Sequence, residues 1–114
     1  MAVWSINIVP GEEPGDSASF VCELQPNAPP NTILAETRDA VTWSNETDDP
    51  HQIAIPAGQS GPAFLSEEIP PDHSSRPTYL CVAPASGNQI IYSCKLHPGE
   101  QGVITLTNVA PATS

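Results

Sequence analysis

The chain has 114 residues, enough for one domain with its own core, and its 14 prolines and 7 glycines leave little room for helices. Its formal net charge is −10, which argues against binding nucleic acid or anionic lipid, because phosphate-binding surfaces need clustered lysine and arginine. No apolar run approaches the roughly 20 residues of a membrane-spanning helix. The charge suits a protein partner with a basic docking face, although solubility alone also accounts for it.

Short apolar segments separated by proline- and glycine-rich turns predict a chain built from β-strands. In the first segment, Trp4, Ile6 and Ile8 fall on one face, as in a half-buried strand. Eight or nine such segments predict an all-β fold, a Greek-key β-sandwich or barrel over residues 1–109, with 110–114 as a C-terminal tail. The predicted strands are 3–9, 18–24, 32–37, 40–44, 53–55, 63–65, 78–82, 89–94 and 102–107.

The segment 92–102 places several potential metal-binding side chains in one tight loop. A predicted strand ends at Cys94, and His97 follows three residues later. After a turn come Glu100 and Gln101, just before the next predicted strand. A thiolate, an imidazole and a carboxylate or amide can therefore converge at this junction. The combination predicts a metal site more strongly than a cysteine and a histidine alone would.

A second histidine lies upstream in the segment 41–53. His51 stands at the start of a predicted strand, directly after Pro50, which stiffens its backbone. The Cys94 thiolate and the imidazoles of His51 and His97, with a weak axial donor, match the ligand set of a blue-copper electron-transfer site. Sulfur accommodates Cu(I), and imidazole suits both oxidation states. We therefore expect one copper ion, cycling between Cu(I) and Cu(II), in each chain.

These two segments resemble the cupredoxin family, most closely its branch of amicyanin, pseudoazurin and plastocyanin. The resemblance implies an electron carrier rather than an enzyme, with redox partner proteins and a periplasmic or otherwise exported location. It assigns His51 as the buried ligand, Cys94 as the thiolate and His97 as the ligand at the solvent edge. It also implies that Asn45 helps to tie the two ligand loops together. The matching residues are Val41-Thr42-Trp43, Asn45, Pro50-His51, Tyr92, Cys94, His97-Pro98 and Gly102.

The axial ligand departs from the pattern that the resemblance implies. The family usually supplies methionine there, and the only methionine of this chain is Met1. The short-loop spacing puts Glu100 at the axial position, which leaves Gly102 in its usual place, and Gln101 is the alternative. An oxygen donor is harder than a thioether and favours Cu(II), so we expect a lower reduction potential than at a methionine site.

Other functions fit parts of the same pattern. Cys94 and His97 are also compatible with a catalytic thiol and its base, or with structural zinc if Glu100 supplies a fourth strong ligand. A red-copper-type site with an open coordination position would bind a small molecule such as nitric oxide, or act as an enzyme. A further alternative is periplasmic copper storage or delivery.

Two expectations concern the cellular compartment. Cys22 and Cys81 both lie in apolar strand segments, and we expect them to form a disulfide, which would stabilise an exported protein; the alternative is two buried free cysteines. The first residues show neither the basic nor the apolar region of a signal peptide. Either the protein is cytosolic or, as we expect, it is exported and its signal or anchor is absent from this sequence.

The surface near the predicted site offers two further features. Leu96, Pro98 and Gly99 surround His97 and are expected to form a small apolar docking patch, suited to transient redox contacts. His73 lies in a polar, proline-bounded loop and is expected to be a solvated histidine.

Overall fold

The fold is all-β, as the sequence predicts. The computed structural model describes residues 3–11, 18–25, 27–28, 31–56, 63–75, 78–84, 87–97 and 99–109, and these residues contain no helix that could cross a membrane. The predicted tail at 110–114 lies outside the described residues. The nine strands are β1 (Val3–Val9), β2 (Ser19–Val21), β3 (Thr32–Ala35), β4 (Ala40–Asn45), β5 (Ile53–Ile55), β6 (Phe64–Leu65), β7 (Tyr79–Leu80), β8 (Gln89–Cys94) and β9 (Gln101–Leu106).

The strands form two sheets, and the chain passes repeatedly from one to the other. The four-stranded sheet has the order β2-β1-β4-β7, and the five-stranded sheet has the order β3-β9-β8-β5-β6. Strands β1 and β4 are parallel, as are β3 and β9, and the remaining strand pairs are antiparallel. This two-sheet arrangement confirms the predicted sandwich.

The core lies between the inner faces of the two sheets and follows the period-two pattern of the strands. Ile6 and Ile8 of β1 are fully buried, whereas Trp4 is partly buried and donates its Nε1–H to Asp39 Oδ2 at 3.0 Å. Trp43 lies at the centre of an aromatic cluster, with its ring centroid 5.1 Å from that of Tyr92. Each fully buried large apolar side chain stabilises the fold by about 1.5–3 kcal/mol.

Four strands are shorter than predicted, namely β2, β3, β6 and β7, and turns end the first two of them. Predicted strand 18–24 is paired only at Ser19–Val21, since Cys22 O accepts a hydrogen bond from Gln25 N and closes a turn. The Gln25 side chain then donates to and accepts from the backbone of Leu34, so it covers the free edge of β3. Predicted strand 32–37 ends at Ala35 because Asp39 N donates to Glu36 O at 3.1 Å and closes a turn, within which Arg38 has a φ of 76°.

The predicted disulfide between Cys22 and Cys81 is wrong, because both residues are free, buried thiols. Cys22 follows β2 and Cys81 follows β7, and these strands are opposite edges of the four-stranded sheet. Three interstrand spacings of about 4.8 Å separate those edges by roughly 14 Å. A disulfide requires its two Cα atoms to lie within about 7 Å of each other.

Candidate metal centre

Neighbouring strands of the five-stranded sheet bring the predicted ligands to one end of the sandwich. Cys94 is the last residue of β8, and Glu100 directly precedes β9, its hairpin partner. His51 lies two residues before Ile53 of β5, which pairs with Cys94. His51 is held there by a bridge to Ile69.

Backbone hydrogen bonds close the loop between β8 and β9 over the site. His97 N donates to Cys94 O at 3.3 Å, Glu100 N donates to His97 O at 3.2 Å, and Cys94 N donates to Glu100 O at 3.0 Å. Gly99 has a φ of 98°, a conformation that side chains other than glycine rarely adopt. The loop therefore turns tightly enough to aim three side chains inward.

Packing explains why a glycine, Gly102, follows this loop. A Cβ added at Gly102 would lie 2.2 Å from the Tyr92 ring, which crosses directly over it from the paired strand. Tyr92 is buried and contacts Phe20 edge-on, with ring centroids 4.9 Å apart. The strand that carries Cys94 is thus packed firmly against β9 and the opposite sheet.

The four predicted side chains converge on one point. His51 Nδ1 lies 3.3 Å from Cys94 Sγ and 3.3 Å from Glu100 Oε1. His97 Nδ1 lies 3.4 Å from Cys94 Sγ and 3.7 Å from Glu100 Oε1. All four donor atoms lie within 4.8 Å of one another. Gln101, the alternative to Glu100, is exposed at the start of β9, so its side chain is on the other face of the strand.

The cluster fits a bound cation. Donors about 2.1 Å from a shared metal ion in a tetrahedral arrangement lie about 3.4 Å apart, close to the four distances above. Glu100 Oε1 is fully buried and has no hydrogen-bond partner among the described residues, an arrangement that is unfavourable without a positive charge nearby. The donor set of one thiolate, two imidazoles and one carboxylate suits copper or zinc.

The outer nitrogen of His51 is held by Thr47. Nε2 lies 2.9 Å from Thr47 Oγ1, and the hydrogen of that hydroxyl has two oxygen acceptors in reach, Asn45 Oδ1 at 2.7 Å and Asp49 O at 3.0 Å. Thr47 Oγ1 is therefore left to accept from the His51 Nε2–H, which leaves Nδ1 without a proton in the neutral ring. Burial lowers the pKa of His51, against the opposing effect of the Glu100 carboxylate, and so favours this neutral form.

Asn45 has a different role from the expected one. Its amide group donates to Asp49 O and Ile69 O at 2.7 and 2.8 Å, and its Oδ1 also accepts from Thr47 N. Both amide hydrogens are used on the His51 side, so its side chain does not tie that side to the Cys94–His97 loop. Asn45 instead organises the turn that supports His51.

The connection between the two ligand segments is made by Gln52. Its backbone N–H donates to Cys94 Sγ at 3.4 Å, and its carbonyl oxygen accepts from Lys95 N at 2.7 Å. The N–H···S contact places a hydrogen-bond donor against the sulfur and ties the two segments together. Neither this contact nor that of Thr47 was predicted, because one is made by a backbone group and the other depends on the fold of a turn.

Glu100 has a second contact that the sequence did not indicate. Its Oε2 accepts a hydrogen bond from the backbone N–H of Ala18 at 2.7 Å, although the two residues are 82 positions apart. Ala18 directly precedes β2 and packs against the core. A backbone amide leaves no mark on the residue type, so no sequence signal could have identified this contact.

The solvent side of the cluster is formed by His97, whose side chain is 34% exposed, whereas that of His51 is 2% exposed. Leu96 and Gly99 beside it are exposed, and Pro98, the third residue of the predicted docking patch, lies outside the described residues. His73 is exposed, as expected, with Nδ1 2.9 Å from Pro71 O.

Comparison with known proteins identifies the fold. No protein-family model matches the sequence, and no curated protein matches it. Among solved structures, a proline-to-glycine variant of amicyanin in the reduced Cu(I) form at pH 4 aligns with a TM-score of 0.61 and 17% identity, over 92% of this chain and 81% of that chain. An oxidised proline-to-alanine variant of amicyanin aligns with a TM-score of 0.55 and 22% identity. A methionine-to-glutamine variant in the Cu(I) form aligns with a TM-score of 0.55 and 23% identity. Each of these two matches covers 67% of this chain and 69% of the amicyanin chain.

At these identities the structural likeness establishes the fold. The nine strands of the described residues form two sheets in a sandwich like that of amicyanin. The fold places the four-residue cluster at one end of an amicyanin-like sandwich.

Proposed function

We propose that this chain binds one copper ion through His51, Cys94, His97 and Glu100 and carries single electrons between redox partner proteins. The observation that carries the proposal is the convergence of these four donors, with Glu100 Oε1 buried and unpaired beside both imidazoles. When bound, copper would supply the one-electron couple between Cu(I) and Cu(II). The chain contributes a rigid ligand frame, so little has to rearrange when the electron moves.

Glu100 is proposed as the axial ligand, and it should lower the reduction potential. With Cys94 it places two anionic donors in a buried site, next to the neutral ring of His51. Negative charge in a low-dielectric site stabilises the doubly charged ion over the singly charged ion. A carboxylate oxygen is also a harder donor than the usual thioether, and this acts in the same direction.

Electrons should enter and leave through His97, the one ligand whose side chain is substantially exposed. Leu96, which is 39% exposed, adds a small apolar contact beside it. Five exposed carboxylates belong to the two segments that lead into His51 and its bridge partner, and they suit a partner with a basic docking face. These carboxylates are Glu46, Asp48 and Asp49, which precede His51, and Glu67 and Glu68, which precede its bridge partner Ile69.

The proposal includes a periplasmic or otherwise exported location. This location is supported by the amicyanin-like fold alone. The free thiols of Cys22 and Cys81 neither require nor exclude an oxidising compartment. No nucleic-acid partner is proposed, since the chain carries only three lysines and arginines against thirteen acidic residues.

Structural zinc is the second candidate, favoured by the presence of four strong donors whose atoms all lie within 4.8 Å of one another. Protein-film voltammetry of the copper-loaded chain and of Glu100→Met separates the two. An electron carrier gives a reversible one-electron wave whose midpoint rises in the variant. A protein that binds zinc tightly and shows no reversible copper wave would contradict electron transfer. An exchangeable ligand on copper would instead favour small-molecule binding, and ready copper loss to a chelator would favour delivery.

A further inference from the structure

The N-terminal third of the chain contributes a group to the metal centre. The backbone amide of Ala18 donates to Glu100 Oε2 at 2.7 Å, a short distance typical of hydrogen bonds to a charged acceptor. The other carboxylate oxygen, Oε1, faces the Nδ1 atoms of His51 and His97 at 3.3 and 3.7 Å. The two oxygens of one carboxylate therefore have separate environments.

A carboxylate without such a constraint can present either oxygen, or both, to a metal ion. The amide of Ala18 occupies one oxygen and holds it away from the two imidazoles. Outer hydrogen bonds of this kind orient metal ligands and commonly change metal affinity by about 10–100-fold.

The position of the Ala18 amide is fixed by the fold. Ala18 precedes β2, whose Phe20 inserts into the core against Tyr92 and donates its backbone N–H to Asn31 Oδ1 at 2.8 Å. Strand β2 pairs with β1, with Ser19 opposite Val9. The donor is therefore held by a packed strand of the opposite sheet.

From these contacts we infer that the Ala18 amide is a positioning group that makes Glu100 a ligand through Oε1 alone. The inference rests on the proposed function, because it assigns a role within the same copper site. The hydrogen bond from Ala18 N to Glu100 Oε2 connects the four-stranded sheet to the ligand loop of the five-stranded sheet.

The test removes the donor without touching a side chain of the site. Ala18→Pro has no amide hydrogen, and Ala18→Gly, the matched control, keeps it. Cu(II) affinity is measured by competition with a chelator in the wild-type and Glu100→Ala backgrounds. We expect Ala18→Pro to weaken Cu(II) binding about 10–100-fold in the wild-type background and to have no further effect with Glu100→Ala. An equal loss in both backgrounds, or an equal loss in Ala18→Gly, would overturn the inference.

A second measurement keeps the inference testable if Ala18→Pro does not fold. In the metal-free protein, the Ala18 amide proton should resonate downfield and exchange slowly, and Glu100→Ala should move it upfield and speed its exchange. An Ala18 amide that is unchanged by Glu100→Ala would overturn the inference. This readout needs no copper, so failure of wild-type protein to bind copper would reject the proposed function without deciding the Ala18–Glu100 contact.

Discussion

Thr47 Oγ1 lies 2.9 Å from His51 Nε2, on the far side of the imidazole from Cys94. This contact fixes the ring orientation and leaves Nδ1 free to act as a ligand. We expect Thr47→Val, which keeps the shape but removes the hydroxyl, to lower Cu(II) affinity about 10–100-fold. Competition with a chelator measures the change.

Thr47→Ser is the matched control for this variant, because it keeps the hydroxyl that accepts from His51. It should bind Cu(II) nearly as well as the wild type. Equal affinities for the valine and serine variants would show that the hydroxyl does not position His51.

Gly102 is expected to tolerate no side chain while Tyr92 is present. Alanine at this position would place its Cβ 2.2 Å from the Tyr92 ring, which is buried and enclosed by Phe20 and Trp43. Overpacking of this kind costs about 1–3 kcal/mol of unfolding free energy. Urea denaturation of Gly102→Ala measures the loss.

A double-mutant cycle tests the stated cause. In a Tyr92→Leu background the ring is gone, so Gly102→Ala should reduce the free energy of unfolding much less than it does in the wild type. The same cost in both backgrounds would mean that the backbone conformation of Gly102, rather than contact with Tyr92, makes glycine necessary.

Stability should fall in alkali because of Cys81. Burial, assisted by the nearby Asp39 carboxylate, raises the pKa of the Cys81 thiol from 9.0 to about 12. Between those values the unfolded chain has lost the proton and the folded chain has kept it. The unfolded state then binds fewer protons, so the free energy of unfolding decreases as pH rises from about 9 to 12.

Urea midpoints of wild type and Cys81→Ala, each measured at pH 8 and pH 10.5, isolate this effect. The wild type should lose more stability than the variant over that interval, since the variant lacks the buried thiol. An identical pH dependence in both proteins would contradict the assignment to Cys81.

Association with a basic redox partner should depend on the carboxylates near the metal centre. Replacing Asp48, Asp49, Glu67 and Glu68 by their amides should slow electron exchange with a small basic cytochrome at low salt by about tenfold or more. Stopped-flow kinetics measures the rate. Glu36→Gln is the control for each of the four replacements made singly, because it also removes one charge and Glu36 is exposed beyond the end of β3 farthest from the site. If each single replacement slowed exchange no more than Glu36→Gln, net charge alone, not a local docking face, would set the rate.

The sequence predicted those parts of the molecule that depend on local pattern. Alternation at Ile6 and Ile8 marked a buried strand, and the spacing of Cys94, His97 and Glu100 marked a tight loop that the structure closes with three backbone hydrogen bonds. The grouping of His51 with that loop followed from the ligand set of a blue-copper site and from the family resemblance, and the structure brings all four side chains together. Their role as ligands stays a prediction.

Long-range relationships were harder to predict. The pairing of Cys22 with Cys81 failed because the two residues lie at opposite edges of one sheet, and strand order is not readable from the spacing of cysteines. The amide of Ala18 reaches Glu100 through the contact between sheets, and its donor belongs to the backbone. Asn45 was predicted to tie the two ligand loops together, but its amide donates to Asp49 O and Ile69 O. The turn after β4 determines where that amide points, and the sequence pattern does not reveal its conformation.

The most direct test of the copper site is a titration of reduced, metal-free protein with Cu(II), followed by visible absorption and electron paramagnetic resonance in wild type and Cys94→Ser. The account predicts an intense thiolate-to-copper absorption band in the wild type that saturates at one equivalent and is absent from the variant. A wild-type chain that shows no such band, or one that is unchanged in Cys94→Ser, would contradict the proposal that Cys94 holds copper.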